Sequence, residues 1–147
     1  MKKIVTIIFV LGFYLLSFSQ DNRDKIKTLK IAYITEKLNL TQKQAQAFWP
    51  IYNNFEDANF KLKSQSYAKR KKVDFENISD KDAETLLNEI RTIDGKKYTL
   101  KENYINDLLK VIPAKKIILL NKVEDDFKHK MFEEFKSRRQ LNHGSKQ

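Results

Sequence analysis

The chain has 147 residues, of which 33% are charged, with three glycines, two prolines and no cysteine. So few turn-forming residues exclude a fold built from many tight hairpins, and the missing cysteine excludes disulfides and thiolate chemistry. The formal net charge of +10 favours acidic partners. We therefore expect one all-α domain with a basic surface.

A secretion signal is indicated at the amino terminus. Met1-Lys2-Lys3 is basic, residues 4–16 are almost wholly apolar, and the small residue Ser19 suits a signal peptidase. The pattern predicts a cleaved signal peptide over 1–19 and export to the periplasm. A retained anchor is the alternative, but the apolar run is short for a span of about 20 residues. Cleavage lowers the basic count from 29 to 27 against 19 acidic residues, which leaves a net charge of about +8.

Residues 21–39 predict a first helix that is amphipathic and basic. Its narrow apolar stripe favours packing on a neighbouring helix, although a basic amphipathic helix can also lie on a membrane. Export argues against nucleic acid as the partner of the basic residues and leaves anionic head groups, lipopolysaccharide or acidic protein segments. The stripe consists of Ile26, Leu29, Tyr33, Ile34 and Leu38.

A second helix is predicted from Thr41 to about Val73. The Thr41 hydroxyl can accept a hydrogen bond from the first turn, and the Gln44 side chain can reach back to the Thr41 amide, which makes a capping box. Pro50 lies well inside this helix. We expect a bend there and not a stop, because the apolar pattern continues in phase beyond it.

Large aromatic side chains follow the cap, and a basic run closes the helix. An aromatic stripe is typical of a core, but an exposed one would hold non-native chains. A basic run is typical of a solvated helix end that faces the negative pole of the dipole. The candidate client-binding residues are Phe48, Trp49, Tyr52, Phe55, Lys69, Arg70, Lys71 and Lys72.

Two further helices are predicted after a break at residues 73–78. Ser79 and Asp82 repeat the capping pattern at the start of the third helix, and Gly95 weakens its middle. Pro113 suits the first turn of the fourth helix. The fourth apolar stripe consists of Ile117, Leu120, Val123, Phe127, Met131 and Phe135.

The domain is predicted to cover residues 20–136, with a flexible basic tail over 137–147 that shows no helical period. Four helices, two of them about 30 residues long, predict an elongated bent hairpin or cradle with a thin core and no sheet. Such a shape often completes its burial by forming a homodimer.

No catalytic pattern is present in the sequence. His129 does not belong to an HExxH pattern, there is no glycine-rich phosphate loop, and no serine has a recognisable triad partner. We therefore predict that the protein is not an enzyme and has no cofactor and no metal site.

One stretch resembles a known family. Leu40-Thr41-Gln42-Lys43-Gln44 matches the LTxxQ motif of the periplasmic Spy/CpxP family. The flanking residues 29–38 and 48–52 are similar to its Bacteroidetes branch, often labelled as sensors of ECF-type sigma factors. At the place of a second LTxxQ stands Ile112-Pro113-Ala114-Lys115-Lys116, where proline and lysine replace threonine and glutamine. The marker residues are therefore Leu40, Thr41 and Gln44.

The resemblance implies a cradle-shaped helical homodimer of the envelope stress response. Members bind unfolding clients without ATP on a basic, partly apolar surface, or dock on a sensor protein. We therefore expect an ATP-independent periplasmic chaperone, or alternatively a regulatory protein that docks on a membrane stress sensor or anti-sigma factor. A protein of the membrane surface is the third hypothesis.

Overall fold

The structure, a computed structural model, describes residues 24–144, apart from the side chains of Arg138 and of residues 141–144. Four helices form this part of the chain, and it contains no strand. They are α1 over residues 24–37, α2 over Gln42–Lys71, α3 over Asp80–Leu109 and α4 over Ala114–Gly144. The predicted all-α fold is confirmed. The predicted signal peptide and its cleavage site lie outside the described residues.

Helix α1 ends where Asn39 takes a left-handed backbone conformation, with φ of 46°. The Leu38 amide still donates to the Ile34 carbonyl at 3.0 Å, and the Asn39 amide turns back to the Glu36 carbonyl at 2.9 Å. Asparagine tolerates this conformation better than most residues, so it suits the position after a helix end. Thr41, the cap of α2, follows two residues later.

Helix α2 is continuous through Pro50, which confirms the prediction that the proline does not stop the helix. Its last turn is Lys69, Arg70 and Lys71, and the segment 72–79 separates it from α3. The break predicted at 73–78 is therefore confirmed.

Helices α2 and α3 form an antiparallel pair. The Phe55 and Tyr104 rings stack with centroids 4.0 Å apart and planes 11° apart, and further along the pair Lys69 Nζ lies 2.8 Å from Glu89 Oε2. These two contacts set the register of the hairpin. Phe48, Tyr52, Ile93, Tyr104 and Leu108 are buried.

Helix α4 differs from the sequence prediction at both ends. It begins at Ala114, so Pro113 is the residue before the helix, and the Pro113 carbonyl accepts from the Lys116 amide at 2.9 Å and from the Ile117 amide at 3.4 Å. It continues to Gly144, so Ser137 does not mark the end of the helix. Three helices are therefore long, at 30, 30 and 31 residues, and not two. Residues 138–141, which are Arg, Arg, Gln and Leu, are good helix formers, and an existing helix can extend through them without an apolar period.

The chain divides into two compact units. One contains Leu40–Ile118, and therefore α2, α3 and the start of α4. The other combines residues 24–39 with residues 119–144 of the described part of the chain, and in it the rings of Tyr33 on α1 and Phe127 on α4 lie 5.6 Å apart. Lys37 and Lys130 both place their Nζ atoms over the Tyr33 ring, at 5.6 and 5.7 Å from its centroid.

Candidate functional site

The LTxxQ-like stretch forms the start of α2. The Gln44 amide donates to Thr41 Oγ1 at 3.2 Å, and the Thr41 amide donates to Gln44 Oε1 at 3.2 Å. Both bonds of the predicted capping box are present. Leu40, the residue before the cap, is 9% exposed and belongs to the core. These residues satisfy backbone groups that the helix itself leaves without partners, so they act as structural residues.

The second motif-like place contacts the first. Lys116 Nζ donates to Gln44 Oε1 at 3.0 Å, although the two residues are 72 positions apart. One amide oxygen thus accepts from the Thr41 amide and from a lysine of α4. The lysine that departs from the LTxxQ pattern connects the two motif places within the unit Leu40–Ile118. Sequence reasoning identified both places but not their contact, because helix patterns do not report which distant turns meet.

The aromatic stripe of α2 lies largely in the core. Phe48 is completely buried and Tyr52 is 2% exposed, while Trp49 and Phe55 are half-buried. Phe48 contacts Trp49 edge-on and stacks on Tyr52, with centroids 5.0 and 5.4 Å apart. Lys101 Nζ lies 5.3 Å from the Phe55 centroid and 5.2 Å from the Tyr104 centroid, so it is equally close to both rings of the stacked pair. Of the two interpretations left open by the sequence, the core interpretation applies to Phe48 and Tyr52.

A different set of large apolar side chains is exposed on the α2–α3 pair. Phe60 is 70% exposed, Tyr67 66%, Leu87 61% and Tyr98 69%. We call these four residues the hairpin surface. None of these four residues was among the candidate client-binding residues named from the sequence. Their positions in the helical repeat could have identified them, because all four lie outside the stripe of buried residues.

Helix geometry places the four residues on one face of the pair. At 3.6 residues per turn, each lies about 100° from the buried stripe of its own helix and in the same rotational sense. When side chains on two antiparallel helices are rotated away from the buried stripes in the same sense, they lie on the same face of the helix pair. The register set by Phe55–Tyr104 and Lys69–Glu89 also puts Phe60 level with Tyr98.

The four basic residues at the end of α2 do not share one environment. Lys69 is half-buried and pairs with Glu89 across the helix pair. Arg70, Lys71 and Lys72 are exposed, and they follow the hairpin surface along α2. They also lie at the carboxyl end of the helix, where cations are favoured by the dipole.

The segment between α2 and α3 is held by one carboxylate. Asp74 Oδ1 accepts from the Glu76 amide at 3.2 Å, and Asp74 Oδ2 accepts from Asn77 Nδ2 at 2.8 Å. The hydrogen bond from the Asn77 side chain, followed by that from the Glu76 amide, holds the pKa of Asp74 below its usual value of 3.8. Ser79 then caps α3, with its hydroxyl accepting from the Asp82 amide at 3.2 Å and donating to Asp82 Oδ2 at 2.7 Å.

Two shallow concavities accompany these features. One of about 340 Å³ runs along the side of the α2–α3 pair that carries Phe55, Leu100 and Asp107. Another, of about 400 Å³, lies on α4 beside Phe132 and Phe135. Within residues 24–144, no cluster of His, Asp and Glu has the arrangement of a metal site. None of the described helices has a stretch that is both long and apolar enough to cross a membrane.

Comparisons with protein-family models, with curated proteins and with solved structures found no match. The resemblance to the Spy/CpxP family therefore stays a prediction from the residues quoted in the sequence analysis.

Proposed function

We propose that this protein is a periplasmic ATP-independent chaperone of the envelope stress response that holds unfolded polypeptides, as a homodimer, on the hairpin surface. The observation that carries the proposal is the exposure of Phe60, Tyr67, Leu87 and Tyr98 on one face, each more than 60% accessible. Soluble proteins rarely leave large apolar patches open unless the patch binds something. The similarity to the Spy/CpxP family supports the same function.

The neighbouring positive charges are suited to weak binding of many different client polypeptides. Arg70, Lys71 and Lys72 follow the apolar residues on α2, and Lys63 lies between Phe60 and Tyr67. Cations attract acidic chain segments over distance and raise the rate of encounter. The exposed rings then provide apolar contacts, which do not require the client to adopt one particular conformation. A binding surface of this kind requires no nucleotide.

The test is suppression of aggregation of an unrelated unfolding protein at near-stoichiometric ratio and low salt. We expect wild type to suppress aggregation and the double variant Phe60→Ser, Tyr98→Ser to lose most of this activity. Ile118→Ser is the matched control, because Ile118 is 75% exposed but lies on α4, outside the hairpin surface. Helical circular dichroism of each variant verifies folding. Failure of wild type to suppress aggregation at low salt would overturn the proposal.

The regulatory alternative predicts a different result. Purification under mild conditions would recover one dominant membrane partner, and neutralising the exposed basic residues of α1, such as Lys25 and Lys27, would abolish its recovery. Recovery of one such partner, together with no suppression of aggregation, would favour a sensor-docking protein over a chaperone.

A further inference from the structure

A groove on the other face of the α2–α3 pair has no role in the proposed function. It has a volume of about 340 Å³, and each of the two helices forms one of its walls. Asn54 on α2 and Asn103 on α3 lie about 110° from the buried stripes of their helices, in the rotational sense opposite to that of the hairpin surface. We call this feature the amide groove, and its walls consist of Ile51, Asn54, Ala58, Leu100, Asn103 and Asp107.

The two walls carry their side chains at the same spacing. On each helix the three wall residues occupy positions i, i+3 and i+7. The register of the helix pair puts the ends of one wall level with the ends of the other. Asn54 and Asn103 therefore lie across the groove from each other near its middle, offset by about 2 Å along the helix axes. Between the walls, the stacked rings of Phe55 and Tyr104 form an apolar floor.

The hydrogen-bonding groups of the amide groove are neutral. Asn54 and Asn103 are exposed, and neither side chain has a hydrogen-bond partner among the residues that the structure describes. Each side-chain amide has an oxygen that accepts and an NH2 group that donates. Asp107 is the one charged residue of the lining, and its Oδ1 already pairs with Lys110 Nζ at 2.7 Å. The groove therefore suits a neutral ligand that both donates and accepts hydrogen bonds.

An extended peptide backbone has this pattern of groups. The N–H and C=O of one extended residue point to the same edge of the chain, and those of the next residue point to the opposite edge. Two amides on opposite walls can therefore hydrogen-bond to two consecutive residues, one on each edge. The side chains of an extended segment stand perpendicular to this plane and alternate in direction. Every second side chain of the segment then points to the apolar floor.

The size of the groove sets the length of the segment. Ile51 and Ala58, at the two ends of the α2 wall, are seven residues apart, which corresponds to about 10 Å of helix. An extended chain advances about 3.3 Å per residue, so the groove accommodates about three residues. Ala58 and Leu100 form one end, where the short alanine side chain leaves room for an apolar side chain of the ligand.

We propose that the amide groove binds a neutral, extended polypeptide segment of about three residues, through hydrogen bonds of Asn54 and Asn103 to its backbone. The inference rests on the proposed function in one respect, since it takes unfolded polypeptide as the ligand. It adds a second site that recognises the backbone of the client, whereas the hairpin surface contacts apolar and acidic side chains. Because neither the groove nor the segment contributes a free charge, this binding does not depend on salt.

The experiment is an NMR titration of the full chain with the blocked peptide acetyl-Ser-Leu-Ser-amide. We expect the side-chain NH2 signals of Asn54 and Asn103 to shift, with the same dissociation constant at low and high salt. The control ligand has ester bonds in place of the amides before the leucine and before the second serine. It keeps the side chains and the charge but lacks two N–H donors, so it should bind at least tenfold more weakly.

Substitution of both asparagines by leucine separates backbone recognition from apolar contact. Asn54→Leu with Asn103→Leu keeps the side-chain size and adds apolar area, and we expect it to weaken peptide binding at least tenfold. Asn88→Leu with Asn106→Leu is the matched control, because these asparagines are also exposed but lie on the outer side of α3. Circular dichroism verifies that each variant is folded.

Four results would overturn the proposal. They are no shift of the two asparagine signals in wild type, equal binding of the ester ligand, unchanged or tighter binding by the Asn54 and Asn103 variant, and loss of binding at high salt. Tighter binding by that variant would mean that the groove recognises apolar side chains alone.

The two proposals fail independently. Phe60→Ser with Tyr98→Ser should abolish most aggregation suppression and leave binding of the peptide unchanged, because these residues lie on the other face of the helix pair. Peptide binding in the groove without aggregation suppression by wild type removes the chaperone proposal alone. Aggregation suppression without peptide binding removes the proposal for the amide groove alone.

Discussion

At the scale of single residues, the side chain of Gln44 makes one contact that is local in the sequence and one that depends on the fold. Its oxygen completes the capping box of α2 and also accepts from Lys116 Nζ at 3.0 Å. The first role was predictable, because a capping box is a local pattern of residues three positions apart. The second required the fold, because only packing brings the start of α4 to the start of α2.

Replacing Thr41 by alanine tests the cap. Thr41→Ala removes the acceptor for the Gln44 amide, so we expect the free energy of unfolding to fall by about 1 kcal/mol. Thr41→Ser keeps the hydroxyl and should stay close to wild type. Urea denaturation followed by circular dichroism measures both. Equal stability of the alanine variant and wild type would contradict a capping role.

Asp74 provides a prediction about pH. Its carboxylate accepts two hydrogen bonds in the segment between α2 and α3, and they lower its pKa below 3.8. A carboxyl group with a folded-state pKa below its unfolded value adds stability that is present above the unfolded value. That contribution is lost as the pH falls from about 3.8 through the lowered pKa of Asp74.

Titration of the Asp74 carboxyl carbon by NMR checks this shift. We expect a midpoint below 3.8 in wild type and a rise towards 3.8 in Asn77→Ala, since the Asn77 side chain is the largest cause of the lowering. A wild-type midpoint for Asp74 above 3.8 would contradict the hydrogen-bonding described here.

At the scale of the elements, helix α3 passes through a glycine without interruption. Gly95 lies in the middle of Asp80–Leu109, and its φ is not positive. A side-chain carbon built at this position meets nothing within 4 Å. The glycine is therefore required neither by backbone conformation nor by close packing.

Gly95→Ala should stabilise the protein by roughly 0.5–1 kcal/mol, because alanine loses less backbone entropy in a helix than glycine does. Ala47→Gly, at an exposed position of α2, is the matched control and should destabilise by a similar amount. Thermal unfolding of both variants measures the two shifts. A destabilising effect of Gly95→Ala would indicate that the position contacts something in the native assembly.

The predicted and observed elements agree where local signals are strong. The Thr41 cap, the break near residue 73 and the Ser79 cap are all local patterns, and all three are confirmed. The end of α4 was placed too early because the apolar period stops at Phe135. An exposed helical segment needs only favourable propensity and a helix to extend, so it leaves no periodic signal.

At the scale of the whole molecule, the excess of positive charge is the property that should govern encounters with partners. The chain has 29 basic and 19 acidic residues. Such an excess attracts acidic segments over a distance set by the Debye length and loses this effect at high salt.

We therefore expect the association rate with an unfolded acidic client to fall on the order of tenfold between low and high salt, with a much smaller change in the dissociation rate. Stopped-flow fluorescence with a labelled client measures both rates. A client of the same length with positive net charge is the control and should show no such fall. An association rate that does not depend on salt would mean that apolar contacts alone control capture.

The sequence by itself determined the helical class, the starts of α2 and α3 and the basic balance, because caps, periodicity and charge are properties of neighbouring residues. The tertiary structure alone decided which aromatic residues are available. Phe48 and Phe60 look alike in sequence, but one is completely buried and the other is 70% exposed. The difference arises from the side of α2 that faces α3, and that side is chosen by packing between residues distant in the chain. Packing between distant residues also brings Lys116 to Gln44.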